Sequence, residues 1–278
     1  MRLACTAATY PTQFGPIIFK DGNLKENFKV MRRYGFTGVD LFVNDSTPEK
    51  LREYRDIMDS NGIHVATFLA IFLAENGVRL SESDPQLRIR NLDLVKRQLD
   101  NARFFNADGL AMGFIRGGYD EKTERKEDAL ERIAEALTTL GEYADSIGTK
   151  VLLEPINRYE INTINTAIEG TDFIRQNNLK GVGLLLDAFH MNIEDKSLGE
   201  SIRYSKDYAV NMHLADSNRH ALSEGHLDVQ EVLCALRDID FKGHTTLEAF
   251  SSNPEESLAK TRRVLDEVGS KLGMTFGE

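Results

Sequence analysis

The stretch VGLLLD, residues 182–187, is a short apolar run that ends in an acidic residue. A short continuous apolar run is typical of a strand buried in a parallel sheet. The eight predicted strands lie near Leu3–Ala7, Gly38–Val43, His64–Ala70, Gly109–Phe114, Lys150–Glu154, Val182–Asp187, Ala209–His213 and Thr245–Phe250. Longer segments with helical spacing separate them, and this alternation indicates an α/β protein.

Several helix boundaries are marked in the sequence. Asp84 followed by Pro85 predicts a helix start, because Asp is a favoured N-cap and proline is tolerated in the first turn. The last helix is predicted over Pro254–Leu272. Four glycines just before predicted strands are expected to end the preceding helices, since glycine adopts the left-handed conformation readily. They are Gly35, Gly62, Gly148 and Gly243.

The number of strand–helix units helps to distinguish between two α/β folds, the closed barrel and the open sheet. Eight units in 278 residues match the (β/α)8 barrel, which is typically about 250 residues long. A doubly wound open sheet uses the same alternation, but no G-x-G-x-x-G follows the first strand. The sequence therefore predicts a single TIM-barrel domain over residues 1–278.

Composition excludes several classes of protein. A net charge of −10 disfavours a nucleic-acid partner, because phosphate contacts need clustered Lys and Arg. Two cysteines cannot build a disulfide framework, which favours a reduced cytoplasm. The most apolar run, residues 65–74, is far shorter than the ~20 residues of a membrane helix, and no secretory signal is visible. We expect a cytoplasmic protein with a small-molecule partner.

Four consecutive predicted strands end in polar residues: Glu154, Asp187, His213 and Glu248. Singly, each has an ordinary explanation as a loop ion pair, a helix cap or a core histidine. Together they would converge on one barrel mouth, where they would repel or desolvate one another unless a divalent cation bound them. Three carboxylates and one imidazole suit Mn²⁺, the expected ion, and also Mg²⁺ or Co²⁺, with Zn²⁺ as a further alternative.

Sequence blocks around these residues resemble the ketose 3-epimerases of the xylose-isomerase-like barrel superfamily, such as tagatose and psicose 3-epimerases. The blocks are EPINRYE (154–160), LLLDAFHMNIE (184–194), HLADSNR (213–219), GHLD (225–228) and LEAF (247–250). They occur in the family order and at the family spacing. The N-terminal half matches mainly in its rhythm of strands and helices.

The resemblance implies roles for individual residues. The four polar strand ends would hold one metal ion, and Glu154 and Glu248 would also form the catalytic acid–base pair. Substrate contacts are implied for Glu160, His190 and Arg219 near the metal and for Phe250 at the far end of the sugar. Asn157 and Arg158 are candidates for holding Glu154 in place. A homodimer or homotetramer is also implied.

The loop after the fourth predicted strand departs from the family pattern. Members that act on free ketohexoses usually carry aromatic residues there, often Trp, whereas this chain has no Trp and reads GFIRGG over 113–118. That loop is closer to a keto-gluconate epimerase-like branch. Arg116 is therefore a candidate for binding a substrate carboxylate or phosphate with two parallel hydrogen bonds. The alternative is an ion pair between Arg116 and a neighbouring acid.

The predicted activity is epimerisation of the carbon next to the ketone of a ketose or keto-sugar acid. This reaction removes a C–H proton and returns one to the opposite face, which requires two bases such as Glu154 and Glu248. A metal bound to the ketone oxygen and the adjacent hydroxyl would stabilise the enediolate.

Three other functions remain open at this point. The same barrel could carry an aldose–ketose isomerase or a keto-inositol isomerase or dehydratase. An endonuclease of the same superfamily would need further metal ligands and a basic face, which six histidines and a net charge of −10 do not support. An inactive sugar-binding barrel is the non-enzyme alternative, although all four ligand positions are filled.

Overall fold

A computed structural model describes residues 1–44 and 47–277 of the chain. Within these ranges the strands are β1 (Arg2–Ala8), β2 (Gly38–Phe42), β3 (His64–Leu69), β4 (Gly109–Ala111), β5 (Val151–Leu153), β6 (Val182–Asp187), β7 (Ala209–Leu214) and β8 (His244–Leu247). Each strand pairs in parallel with the next one along the chain, and β8 pairs with β1 to close the barrel. The predicted TIM-barrel architecture is confirmed.

The helices lie between the strands and after β8. They are α1 (Leu24–Arg33), α2 (Pro48–Asn61), α3 (Ile71–Glu75), α4 (Pro85–Phe104), α5 (Lys126–Ile147), α6 (Ala167–Gln176), α7 (Ala188–Glu194), α8 (Leu198–Tyr204), α9 (Val229–Asp238) and α10 (Pro254–Leu272). A short 3₁₀ turn spans Phe114–Arg116. In the described ranges, no helix has both the length and the hydropathy that crossing a membrane would require.

Most of the predicted helix boundaries are confirmed. The Asp84 carboxylate caps α4 by accepting hydrogen bonds from two main-chain amides, and α10 has the predicted bounds. Gly62 and Gly148 end α2 and α5 in the left-handed conformation. The prediction for Gly243 was wrong, because α9 ends at Asp238. A side chain at Gly243 would instead collide with the main chain of β7, since its Cβ would lie 1.8 Å from the carbonyl oxygen of Val210.

The strands separate two apolar layers. On β2, Val39 and Leu41 belong to the large cluster that the strands share with the surrounding helices. Phe42 belongs to a smaller cluster inside the barrel, together with Ile17 and residues from five other strands: Ala8, Leu69, Ala111, Leu152 and Leu185. Successive side chains of a strand point to opposite faces, so Asp40 points to the interior like Phe42.

Two strands end three residues earlier than their apolar runs predicted. β4 ends at Ala111 rather than at Phe114, because Phe114 begins the 3₁₀ turn. β8 ends at Leu247 rather than at Phe250. Glu248 is therefore the first residue after its strand, as Glu154 is after β5. The chain leaves the sheet at these points to form the rim of the barrel mouth.

Candidate active site and metal centre

Four polar side chains from successive strands meet at the carboxyl end of the barrel. Glu154 follows β5, Asp187 ends β6, His213 lies in β7 and Glu248 follows β8. These strands are neighbours in the sheet, and Asp187 pairs in register with His213. One ligand atom from each residue lies within 4.8 Å of the other three. The structure thus brings together the four residues that the sequence placed at strand ends.

The four side chains are deeply buried around the imidazole of His213. In chain order the residues are 7, 1, 0 and 6% exposed. Nδ1 of His213 lies 2.8 Å from Oε2 of Glu248. It lies 3.7 Å from a carboxylate oxygen of Glu154 and 3.7 Å from one of Asp187. Since little water screens charges at this depth, the protonation of each group depends strongly on the others.

The guanidinium of Arg219 compensates part of the negative charge. It donates to Oδ2 of Asp187 at 2.5 Å and also to Oε2 of Glu248. Arg219 adopts a φ of +62°, which is uncommon outside glycine, in a turn where its N–H donates to the carbonyl of Asp216. Its own carbonyl accepts from the N–H of Phe250. The turn therefore fixes the guanidinium against two of the three carboxylates.

The two glutamates differ in their affinity for a proton. Burial, together with the negative charges of Glu248 and Asp187, raises the pKa of Glu154 to about 8, despite the opposing charge of His213. Burial alone would raise the pKa of Glu248, but the charges of His213 and Arg219 outweigh it and lower that pKa below its ordinary value. Two carboxyl groups whose pKa values are pushed apart are typical of an acid–base pair.

The environment of His213 fits a divalent cation. Burial alone would lower the pKa of His213, but the negative charge of Glu248 and the neighbouring carboxylates of Asp187 and Asp40 raise it well above its ordinary value. Its buried Nδ1 makes no hydrogen bond of acceptable geometry with any described residue. A cation ligated by Nδ1 would replace a proton there, because metal binding needs the unprotonated nitrogen. One imidazole nitrogen and three carboxylates form a donor set for Mn²⁺-like ions.

Asp40 is a site residue that our sequence reasoning missed. Its Oδ2 accepts a hydrogen bond from Nε2 of His213 at 2.7 Å, and its Oδ1 accepts from the hydroxyl of Thr246 at 3.1 Å. Because a carboxylate here can only accept, Nε2 carries a proton and Nδ1 faces the three other carboxylates. The sequence signal that could have revealed Asp40 is a charged residue at an interior position of an otherwise apolar strand.

A second polar group lies beside the cluster. The side-chain N–H₂ of Asn157 donates to Nδ1 of His190 at 2.8 Å and to Oε1 of Glu160 at 2.7 Å. Nε2 of His190 therefore carries the ring proton, and it lies 3.8 Å from Oδ2 of Asp187. The prediction that Asn157 holds Glu154 is corrected: Asn157 orients His190 and Glu160.

Arg158 also differs from its predicted position. Its guanidinium and its main-chain N–H both bind the carboxylate of Glu194 in α7, at distances of 2.5–2.9 Å. The side chain of Glu194 is only 3% exposed. Arg158 thus ties the loop after β5 to α7 rather than supporting Glu154.

A pocket lies over the polar cluster at the barrel mouth. Its apolar walls include Phe14, Phe42, Leu69, Phe114, Ile156, Phe189 and Phe250. Its charged or titratable lining residues are Glu154, Glu160, His190, Arg219 and Glu248. Among the described residues that line it, Arg219 is the one permanent cation, and its guanidinium already binds Asp187 and Glu248.

Comparison with known proteins places this site in a family. Residues 28–268 match the family model described as the xylose isomerase-like TIM barrel. This chain belongs to that family. The match spans most of the described chain and includes all four residues of the polar cluster. Membership of the xylose isomerase-like TIM barrel family also agrees with the closed eight-stranded barrel.

Named relatives within the family include sugar epimerases. The D-psicose 3-epimerase of Agrobacterium fabrum is 27% identical over 247 residues, covering 87% of this chain and 81% of the relative. The 3-dehydro-D-guloside 4-epimerase of Escherichia coli is 26% identical over 236 residues, covering 81% and 87%. The solved structure of an L-ribulose 3-epimerase matches with a TM-score of 0.83 at 22% identity, covering 98% and 97%. That last likeness shows the fold alone, whereas the sequence relatives confirm the resemblance to ketose 3-epimerases.

Arg116 does not line the pocket, in contrast to its predicted position at the substrate. The residue is fully buried, and its guanidinium donates to main-chain carbonyl oxygens. Burial lowers the pKa of Arg116 to about 10, so the side chain stays charged at neutral pH. These hydrogen bonds end on main-chain oxygens and not on a neighbouring carboxylate, which was the alternative partner.

Proposed function

We propose that this protein is a metal-dependent carbohydrate epimerase that inverts the carbon next to the ketone of a neutral ketose. One observation carries the proposal: two buried glutamates, Glu154 and Glu248, lie with Asp187 and His213 in one cluster, and both glutamates line a pocket at the end of the barrel where TIM-barrel active sites occur. The relatives' names support the same chemistry. A ketose 3-epimerase and a 3-dehydro-sugar 4-epimerase both invert a carbon that adjoins a ketone.

The proposed acid–base work belongs to the two glutamates. One carboxylate takes the proton from the carbon, and the other carboxyl group delivers a proton to the opposite face. In the metal-free protein the pKa of Glu154 is raised and that of Glu248 is lowered, so the two carboxyl groups already differ in their affinity for a proton. After one turnover the first carboxyl group has gained a proton and the second has lost one. The pair can then act on the epimer in the reverse order.

The metal ligands in this proposal are Glu154, Asp187, His213 and Glu248, with Mn²⁺ as the proposed ion. When bound, such a cation supplies Lewis-acid stabilisation of negative charge on substrate oxygens. Asp40 keeps His213 in the ligating tautomer by accepting from Nε2. Arg219 holds Asp187 and Glu248 in fixed positions.

Substrate hydroxyls would be bound by the polar groups on the pocket wall. The Nε2–H of His190, oriented by Asn157, is a donor, and the carboxylate of Glu160 is an acceptor. Arg219 is already engaged with two carboxylates, and Arg116 is buried beneath the wall. Since no described lining residue offers an uncompensated cation, the pocket favours a neutral ketose over a keto acid or a sugar phosphate.

An isotope-exchange experiment tests the proposal. The metal-stripped protein is reloaded with Mn²⁺, or with Mg²⁺ for spectra, and incubated in D₂O with tagatose, fructose, psicose and ribulose separately. Fructose 6-phosphate and 5-keto-gluconate serve as charged comparisons. We expect deuterium at C3 of a neutral ketose together with the signals of its epimer, and no exchange after chelation.

Three outcomes would contradict all or part of the proposal. Deuterium at C1 with appearance of an aldose would indicate an aldose–ketose isomerase on the same barrel. Absence of exchange in every sugar, with metal binding demonstrated, would exclude ketose epimerisation. Faster exchange in the charged sugars would refute the part of the proposal that concerns a neutral substrate.

A further inference from the structure

Arg116 is a buried charged residue that the proposed chemistry does not use. Its guanidinium makes five hydrogen bonds, as many as the five N–H donors of arginine. At 2.6–3.2 Å these bonds reach the carbonyl oxygens of Gly113, Glu154, Thr163 and Ile164. Burying a charge without an ionic partner is costly, so the arrangement calls for a reason beyond packing.

The carbonyls that Arg116 binds belong to the segments that shape the site. The shortest bond, 2.6 Å, is to the carbonyl oxygen of Glu154, the residue whose side chain joins the polar cluster. Thr163 and Ile164 lie in the loop after β5, where Ile164 adopts a φ of +50°. A β-branched residue in the left-handed region is strained, so this loop needs outside support.

The turn that carries Arg116 lies directly against the carboxylate of Glu154. A Cβ added at Gly113 would be 2.6 Å from Oε2 of Glu154, so a side chain here would displace that carboxylate. Phe114 and Ile115, the other residues of the 3₁₀ turn, line the pocket. Arg116 therefore joins the pocket wall to the main chain of Glu154 through one rigid planar group.

We infer that Arg116 is a positioning residue that fixes the Glu154 carboxylate for metal binding and proton transfer. The inference rests on the proposed function, because it assigns Glu154 the roles proposed above. A lysine at this position keeps the positive charge but loses the fork of donors that binds several carbonyls at once. Arg116→Lys therefore separates the geometry of the guanidinium from its charge.

The test compares Arg116→Lys with a matched control, Arg132→Met. Arg132 has a side chain only 13% exposed, and it donates to the carbonyl of Ser81 and pairs with Glu124, without contact to Glu154. Both changes remove hydrogen bonds of an arginine with little or no exposure to solvent, so both should lower the Tm. Mn²⁺ affinity is measured by electron paramagnetic resonance, kcat and KM by epimerisation, and amide exchange over residues 113–118 and 154–165 by mass spectrometry.

For Arg116→Lys we expect Mn²⁺ affinity and kcat each to fall about 10- to 100-fold. Amide exchange should become faster in both segments. For Arg132→Met, Mn²⁺ affinity and kcat should stay within about twofold of the wild type. Should Arg116→Lys fail to fold, Arg116→Gln, which places a neutral amide donor at the same site, is measured in its place with the same expectation.

A purely structural role predicts a different pattern. Arg116→Lys would then lower only the Tm, with Mn²⁺ affinity, kcat and exchange over residues 154–165 equal to those of Arg132→Met, and this result would overturn the inference. Failure of the wild-type chain to bind Mn²⁺ would instead refute the proposed function. The exchange comparison needs no metal, so it decides the role of Arg116 in either case.

Discussion

Nε2 of His213 lies 2.7 Å from Oδ2 of Asp40, so a hydrogen bond crosses the barrel interior from β7 to β2. Both residues are fully buried. The bond fixes the ring orientation and directs Nδ1 towards Glu154, Asp187 and Glu248. Carboxylates that accept from a ligating histidine in this way raise the basicity of the ring and hold its tautomer.

Replacement of Asp40 should therefore weaken metal binding without removing a ligand. In Asp40→Asn a neutral acceptor takes the place of the carboxylate, and we expect Mn²⁺ affinity to fall about 10-fold or more. Titration of Mn²⁺ followed by electron paramagnetic resonance measures the change. Thr246→Val, which removes only the hydroxyl that supports Asp40, should have a smaller effect. An unchanged affinity in Asp40→Asn would show that the bond does not tune the ligand.

The two-base proposal predicts a severe loss of activity when either glutamate is neutralised. Glu154→Gln and Glu248→Gln should each nearly abolish turnover while leaving a folded barrel, as checked by circular dichroism. Glu194→Gln is a matched control, because Glu194 is a nearby buried glutamate that pairs with Arg158 outside the pocket. If either variant kept more than about a tenth of wild-type turnover, a loss below ~1.4 kcal/mol, the two-base mechanism would be wrong.

Metal affinity should depend on pH because of the proton on Glu154. The carboxyl group has a pKa of about 8 in the metal-free protein, and a metal ion binds the ionised form. Below pH 8 each bound ion must therefore displace a proton. If one proton is displaced, the Kd for Mn²⁺ should rise roughly tenfold for each unit by which the pH falls. His213, whose pKa is also raised, adds to this effect. Calorimetry in buffers of different ionisation enthalpy measures the protons released, and a Kd that is constant from pH 6 to 8 would contradict the prediction.

The stability of the metal-free protein should fall as the pH rises. Between its ordinary pKa of 4.5 and the raised value of about 8, Glu154 stays protonated in the folded chain but is ionised in the unfolded chain. The folded state then binds more protons, so its stability decreases with increasing pH across this window. The Tm of chelated protein from pH 5 to 8 measures this slope.

Glu154→Gln isolates the contribution of this one group. Glutamine does not titrate, so the variant should lose less stability between pH 5 and 8 than the wild type. Asp195, whose pKa burial raises to about 6, contributes equally to both proteins and cancels in the comparison. Parallel slopes for the two proteins would show that Glu154 does not hold its proton in the folded state.

Features that depend on local sequence were predictable for this protein. Short apolar runs predicted the eight strands, since burial in a parallel barrel requires apolar residues on both faces. The Asp84 cap and the bounds of α10 followed from the conformational preferences of neighbouring residues. The four polar strand ends also followed, because the carboxyl ends of parallel strands all open on one side of a barrel.

Only the tertiary structure decided the contacts between distant segments. His213 and Asp40 are 173 residues apart, and nothing in the run GVDLF shows which strand its aspartate will face. Arg116 was expected to contact the substrate. In the structure it is buried instead, and its guanidinium binds the main-chain carbonyls of Glu154 and Thr163. Sequence patterns report burial and local conformation, whereas hydrogen-bond partners depend on how the closed barrel brings separate loops together. The barrel and its cluster of four polar strand ends were therefore predictable from the sequence, but the groups that orient those side chains were not.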